Sequence, residues 1–199
     1  MKLKVPYYSQ RTDVKDAEWQ AHSCLIVCAK MVAEFLGSEV ISADDWIKEG
    51  TYIGAYDGKF WKHEGVVRLL RNYGMFAYAQ EFKTVDVDIK NGEMFAGKKS
   101  NLFLEKGIEK IVKKLDDGVP SIVSIYKYFT EKDRHHGVVI IGYEKDENHE
   151  KSVDLVASKI KGFYYHDPEA PNEQGGEALF VELDKFKKGW KKLAIFLEK

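Results

Sequence analysis

Apolar positions recur at helical spacing through the first half of the chain and give way to β-branched and aromatic runs in the second. Over residues 23–36, Cys24, Val27, Cys28, Met31, Val32, Phe35 and Leu36 share one face of a helix. Leu25 and Ile26 widen that face, so the helix is expected to be buried on most sides. Ser23 is placed to cap its start and Gly37 to stop it. Ser42 with Asp45 reads as a capping box opening a short helix through Trp46 and Ile47. Val66, Val67, Leu69, Leu70 and Tyr73 mark a third helix, stopped at Gly74. Residues 81–101 carry little periodicity and read as strand and loop. Ile108, Ile111, Val112 and Leu115 define an amphipathic helix that ends before Gly118.

Beyond Gly118 the pattern predicts strands. "VPSIVSIYKYF", "HGVVIIGYEKD" and "KGFYYHDP" are rich in Val, Ile and Tyr and are separated by charged turns. A short helix near Phe186 to Trp190 leads into "KLAIFLEK", a last strand. "VPYYSQ" near the start, with Pro6 unable to donate to a ladder, reads as an extended arm or edge strand. Helices first and antiparallel strands second give an α+β fold. No internal repeat, low-complexity tract or linker divides residues 1–199, so one domain is expected.

Composition narrows the function classes. With 199 residues, 44% of them hydrophobic and 13% aromatic, the chain is long enough and apolar enough for a packed core. A net charge of −1, with acidic and basic residues interspersed, leaves no electrostatic footprint for nucleic acid. No apolar stretch approaches the roughly 18 residues of a membrane span, and "MKLKVPYYSQ" lacks the apolar core of a signal peptide. The chain therefore reads as intracellular and cytoplasmic.

The two cysteines, Cys24 and Cys28, carry the chemical question. A structural zinc site needs four ligands, and the six histidines supply no second ligand pair beside the cysteines. A disulfide between helical positions four apart is strained. Cys28, one turn inside the helix on its apolar face, reads as a buried inert thiol. Cys24 stands in the first turn, where unpaired amides and the positive end of the helix dipole stabilise a thiolate. A nucleophile there needs a base from elsewhere in the fold. "DRHHGVVIIGY" offers His135 and His136 at the entry of the most apolar strand. "FYYHDP" ends another strand with His166 and Asp167, and a carboxylate beside an imidazole would orient it and stabilise its charged form.

Taken in order, "VPYYSQ", a Trp, Cys24 with Met31, Val32 and Gly37, "GVPSIVSI", "HHGVVIIGY", "YYHDP", a Gly-containing loop and "FKKGW" resemble the C39-like peptidase family of the papain-like superfamily. The resemblance runs from Val5 to Trp190 and draws little from residues 38–103. It implies a papain-like fold with the Cys24 helix packed on a C-terminal antiparallel sheet. It further implies Cys24 as nucleophile, His136 as base, Asp167 as orienter and Gln10 as side-chain donor to the oxyanion, with a peptide or protein substrate and no metal or cofactor. Two departures stand out. Leu25 and Ile26 follow the cysteine where the family has Gly, which is expected to add bulk near the oxyanion site. His135 replaces the Gly usual before the histidine, which narrows the site and offers a rival base. The activity implied is thiol acyl transfer by a cysteine peptidase or related amide hydrolase; the alternative is a papain-like peptide-binding module with a vestigial triad.

Overall fold

The structure, a computed structural model, describes residues 1–84, 87–90, 93–96, 98–146, 160–170 and 175–198. Three helices come first: α1 (Cys24–Phe35), α2 (Ala43–Tyr52) and α3 (His63–Asn72). They are followed by β1 (Phe76–Glu81), a short ladder of β2 (Val87–Lys90) with β3 (Glu93–Ala96), and the long helix α4 (Lys98–Asp116). The remainder is β4 (Ser121–Lys127), β5 (Glu131–Lys145), β6 (Ile160–His166), β7 (Leu179–Glu182), α5 (Leu183–Gly189) and β8 (Trp190–Glu198). Six strands pair antiparallel in the order β1-β8-β4-β5-β6-β7, so the last strand of the chain inserts between β1 and β4.

Both faces of the sheet are covered, and this explains why its central strands are continuously apolar and do not alternate with polar residues. On β5, Val139 and Ile141 join the core shared with α1, α2 and α3, while Val138 and Ile140 join the core shared with α4 and α5. On β8, Ile195 and Leu197 face the first layer and Ala194 and Phe196 the second. α1 lies against β5 and β4, with Leu25 to Ala33 buried without a break. The mixed helix and antiparallel-sheet class expected from the sequence is the one observed, with the Cys24 helix packed on the sheet.

Several boundaries differ from the sequence reading. β5 starts at Glu131, five residues before His136, because the polar run from Glu131 to His135 pairs with the end of β4 despite facing solvent. The histidines thus sit inside a central strand and not at its entry. α4 begins at Lys98, ten residues before the first of its periodic apolar anchors, because its opening turns are partly solvated. β1 and β7 carry no clear alternation, being short strands at the two sheet edges. The arm at the start is extended, as expected: Leu3 N donates to Ile141 O at 2.8 Å and Tyr143 N to Met1 O at 3.0 Å. Gly37 and Gly74 end their helices at φ +93 and +78, conformations that a side chain would strain.

Candidate active site

The head of α1 is uncapped. Ser23 occupies the N-cap position, but its φ of −96 and ψ of 11 lie outside the extended geometry that brings a hydroxyl back over the first turn, and it makes no capping hydrogen bond. Its Oγ is buried without a protein partner. The first helical bond runs from Val27 N to Ser23 O at 2.9 Å, which leaves the amides of Cys24, Leu25 and Ile26 ahead of the ladder. Trp61 Nε1 donates to His22 O at 2.8 Å and fixes the chain just before Cys24. Cys24 is partly exposed, whereas Cys28 is fully buried. Burial, joined by the charges of Cys24 and Asp167, pushes the Cys28 thiol well up.

The histidine beside Cys24 comes from the sheet. Antiparallel pairing sets Val139 of β5 opposite His166 of β6, so the residue after β6, Asp167, meets the side chain of His136. His136 Nε2 lies 2.6 Å from Asp167 Oδ1, with both side chains almost wholly buried. A carboxylate only accepts, so Nε2 carries the proton and Nδ1 is left for another partner. Burial disfavours the charged imidazole, but Asp167 and the Cys24 thiol outweigh it and raise His136 to about 10. Asp167 Oδ1 also accepts from Glu169 N at 2.8 Å. Glu169 in turn pairs with Arg11 and accepts from Lys127 Nζ at 2.7 Å, its Oε2 standing 3.9 Å from His136 Nδ1.

The arm before α1 holds this loop. Tyr7 Oη donates to Asp167 O at 3.2 Å and accepts from Gly176 N at 3.0 Å, while Gln10 N donates to Pro168 O at 2.8 Å. Gln10 itself is fully buried; its Nε2 donates to Gln20 O at 2.8 Å and its Oε1 has no protein partner. It stands behind the cleft, not in its lining. His166, the other histidine singled out by the sequence, is structural: Nδ1 accepts from Ala178 N at 2.9 Å and Nε2 donates to Val5 O at 3.0 Å, with burial holding the ring below its ordinary value. The Gly-containing loop that follows lies partly outside the described residues, at 171–174.

Cys24 and His136 open onto a cleft of about 400 Å³. Leu25 lines it and packs on Gly137, where an added Cβ would come within 3.2 Å of Leu25 Cδ1. Ile26 does not add to this wall as expected, since its side chain is turned into the core between α1 and the sheet. His135 reaches the cleft too, but Lys191 occupies its Nδ1, and burial with the charges of Lys191 and Lys83 lowers it. Asp167 therefore pairs with His136 and not with the rival. The sequence reading missed the opposite wall, where Phe60, Trp61 and His63 are joined by Ser124, with His63 Nε2 2.6 Å from Ser124 Oγ. These lie mostly in the stretch with the least recognisable pattern. The buried carboxylates Asp167 and Glu169 are taken up by His136, Lys127 and Arg11, and no group of three or more ligating side chains is arranged for a metal among the described residues.

Solved structures share this architecture. A C39-like peptidase described from Bacillus anthracis is 16% identical, with a TM-score of 0.59 over 100% of this chain and 98% of its own. A double-glycine-motif protease from an AMS/PCAT transporter, solved with the leader peptide, is 15% identical, with a TM-score of 0.56 over 100% and 94%. The peptidase domain of Streptococcus ComA, a bi-functional ABC transporter involved in quorum sensing, is 16% identical, with a TM-score of 0.53 over 98% and 96%. Among curated proteins, none matches the sequence. At such identities the structures establish the papain-like fold. The sequence model of the Peptidase_C39 like family matches residues 2–194, nearly the whole chain, and the protein belongs to that family.

Proposed function

We propose that the protein is a cysteine peptidase or related amide hydrolase working by thiol acyl transfer, with Cys24 as nucleophile, His136 as base and acid, and Asp167 as its orienter. The observation that carries this reading is the buried 2.6 Å pair of His136 and Asp167 beside a partly exposed cysteine at an uncapped helix head. An imidazole held charged beside Cys24, with Nε2 fixed on Asp167, has at Nδ1 the proton that the leaving nitrogen needs. Cys24 Sγ attacks the substrate carbonyl carbon and the π pair moves to oxygen. The backbone N–H of Cys24 stabilises that oxyanion, and Gln10, which does not line the free cleft, adds the Nε2 proton that Gln20 O does not use once substrate binding opens its side chain to the cleft. As the C–N bond breaks, His136 Nδ1 gives its proton to the leaving nitrogen, and a thioester remains. Water then gives a proton to His136 Nδ1, now neutral, and its hydroxide attacks the acyl carbon; the C–S bond breaks, releasing the acid and regenerating the thiolate and the charged imidazole.

A peptide substrate suits the cleft and accords with the transporter protease solved with its leader peptide. The test is digestion of an unbiased peptide library at neutral pH under reducing conditions. Products that vanish in Cys24→Ala support hydrolysis. Identical maps from wild type and Cys24→Ala refute it. Leu25 favours the second reading, a peptide-binding module, because it fills the wall beside the nucleophile against Gly137; peptides that bind and raise the melting temperature of both proteins without cleavage would establish it.

A further inference from the structure

The cleft is charged with one sign. Among the described residues that line it there is no Asp or Glu, while Lys59 and Lys191 stand on its rim with His22, His63 and His135. Lys191 donates to Nδ1 of His135, which makes that histidine an acceptor and keeps the positive charge on the lysine. Burial lowers His63 below its ordinary value, with Lys191 and Lys83 adding to it against the opposing pull of Glu64, which is stronger than either lysine's, and of Glu81. Burial and Lys83 lower Lys191 from its ordinary value, and Glu81, the acidic group that opposes them, is itself paired with Lys83 at 2.8 Å. Two aromatic rings complete the wall. Phe60 is 50% exposed, with Lys59 Nζ 5.1 Å from its ring centroid and the His135 ring 6.1 Å away, edge to face. An exposed aromatic ring under Lys59, with Lys191 in the same cleft on the His135 that meets that ring edge-on, offers apolar contact to a short aliphatic stem and charge-assisted donors to its end.

We propose that this cleft selects a peptide bearing a carboxylate close to the scissile amide, its charge met by Lys191 and Lys59 and its stem laid on Phe60. The proposal rests on the hydrolase reading only in taking the Cys24 cleft as the substrate site. A carboxylate is the matching chemistry because it accepts from both lysines, while a cationic or purely apolar residue would leave the lysines unpaired in a half-enclosed wall. The carboxylate can be a Glu or Asp side chain or the free end of a peptide.

The test separates these sources and separates binding from catalysis. Acetylated alanine hexapeptides carrying one Glu at each successive position are titrated into Cys24→Ala protein by calorimetry, beside their Gln counterparts with amidated ends and a Gln series with free carboxyl ends. At low ionic strength the best Glu peptide should bind about twofold to fivefold tighter than its Gln partner, the scale of a partly exposed charge pair. The preference should shrink as salt rises toward molar levels, and it should be lost in Lys191→Met and Lys59→Met. Preference in the free-end series alone assigns the site to a C-terminal carboxylate. Equal affinities for Glu, Gln and free-end peptides, or no binding of any of them at millimolar concentration, overturn the proposal. If the charge preference holds and wild type cleaves none of the peptides or the unbiased library, the proposal stands and the hydrolase reading falls.

Discussion

Asp167→Asn removes the charge that keeps His136 protonated and leaves the shape of the side chain nearly unchanged. In the folded protein His136 is raised from its ordinary 6.5 to about 10, with burial opposing and Asp167 and Cys24 supporting the charged form. At about 1.4 kcal/mol per pH decade, that bias is worth on the order of 5 kcal/mol in all, shared between the carboxylate and the thiolate. The sign follows from linkage. A histidine whose folded value exceeds its unfolded value contributes fully below pH 6.5, and the contribution is lost as pH rises toward 10. Wild type should therefore lose stability across that window, with a slope approaching one proton. Asp167→Asn should lose less, because only Cys24 then supports the charged ring against burial. Urea unfolding of both proteins at pH 6, 7.5 and 9 measures the effect, and the difference between them cancels tyrosines and lysines that titrate in both. The variant should be several kcal/mol weaker at pH 6, with the gap narrowing at pH 9. A gap that stays constant with pH would show that Asp167 does not hold the proton on His136. In Cys24→Ala the wild-type slope should persist in part, which assigns the remainder to the thiolate.

Mild iodoacetamide should label Cys24 and spare Cys28, whose thiol is fully buried and pushed up; peptide mapping that finds Cys28 labelled first reverses the assignment. His136→Ala should lose the alkylation of Cys24 at low pH while His135→Ala keeps it, and the opposite result would mean that the exposed histidine bound to Lys191 is the base. Gln10→Ala should lower kcat by about 10²–10³ with little change in KM, the scale of one oxyanion donor; a drop in melting temperature with kcat intact would make Gln10 a packing residue only. Gly176→Ala should cost both stability and activity, because an added Cβ would overlap the backbone carbonyl of Asp167, which has no side-chain freedom to yield; a variant with unchanged melting temperature would show that this loop moves independently.

The parts of the site legible in the sequence are those whose chemistry is local. Cys24 announces itself by a helix start, and His136 and Asp167 by strands rich in Val, Ile and Tyr that end on polar residues. The register that brings the latter two together, Val139 opposite His166, is a pairing across more than twenty residues that no single segment encodes. The wall of Phe60, Trp61 and His63 was not legible because those side chains face a cleft, so neither helical nor strand periodicity selects them. Ser23 misleads for the opposite reason. Its type and place are right for a cap, yet the chain turns into α1 with a dihedral that points the hydroxyl elsewhere. Ile26 and Leu25 are adjacent in sequence and read as one obstruction, but consecutive helical residues point about 100° apart, so one reaches the cleft and the other the core.

The arm at residues 5–11 ties these separate signals together. It carries Gln10, and the same few residues hold the segment after β6: Val5 O on His166, Tyr7 Oη on Asp167 O, Gln10 N on Pro168 O and Arg11 on Glu169. These contacts close a separation of about 160 residues along the chain. In the proposed mechanism the oxyanion donor and the orienting carboxylate must be set against one thiol to within a fraction of an ångström. A donor on one flexible arm and a carboxylate on an independent loop would each have to be ordered separately. Bonding the arm to the loop ties the two together, so that the backbone carrying Gln10 and the backbone carrying Asp167 are positioned against each other. The ion pairs of Glu169, a buried one with Lys127 and a half-exposed one with Arg11, belong to this arrangement: they lie where the arm, the loop and the end of β4 meet, and they tie the three without occupying the cleft.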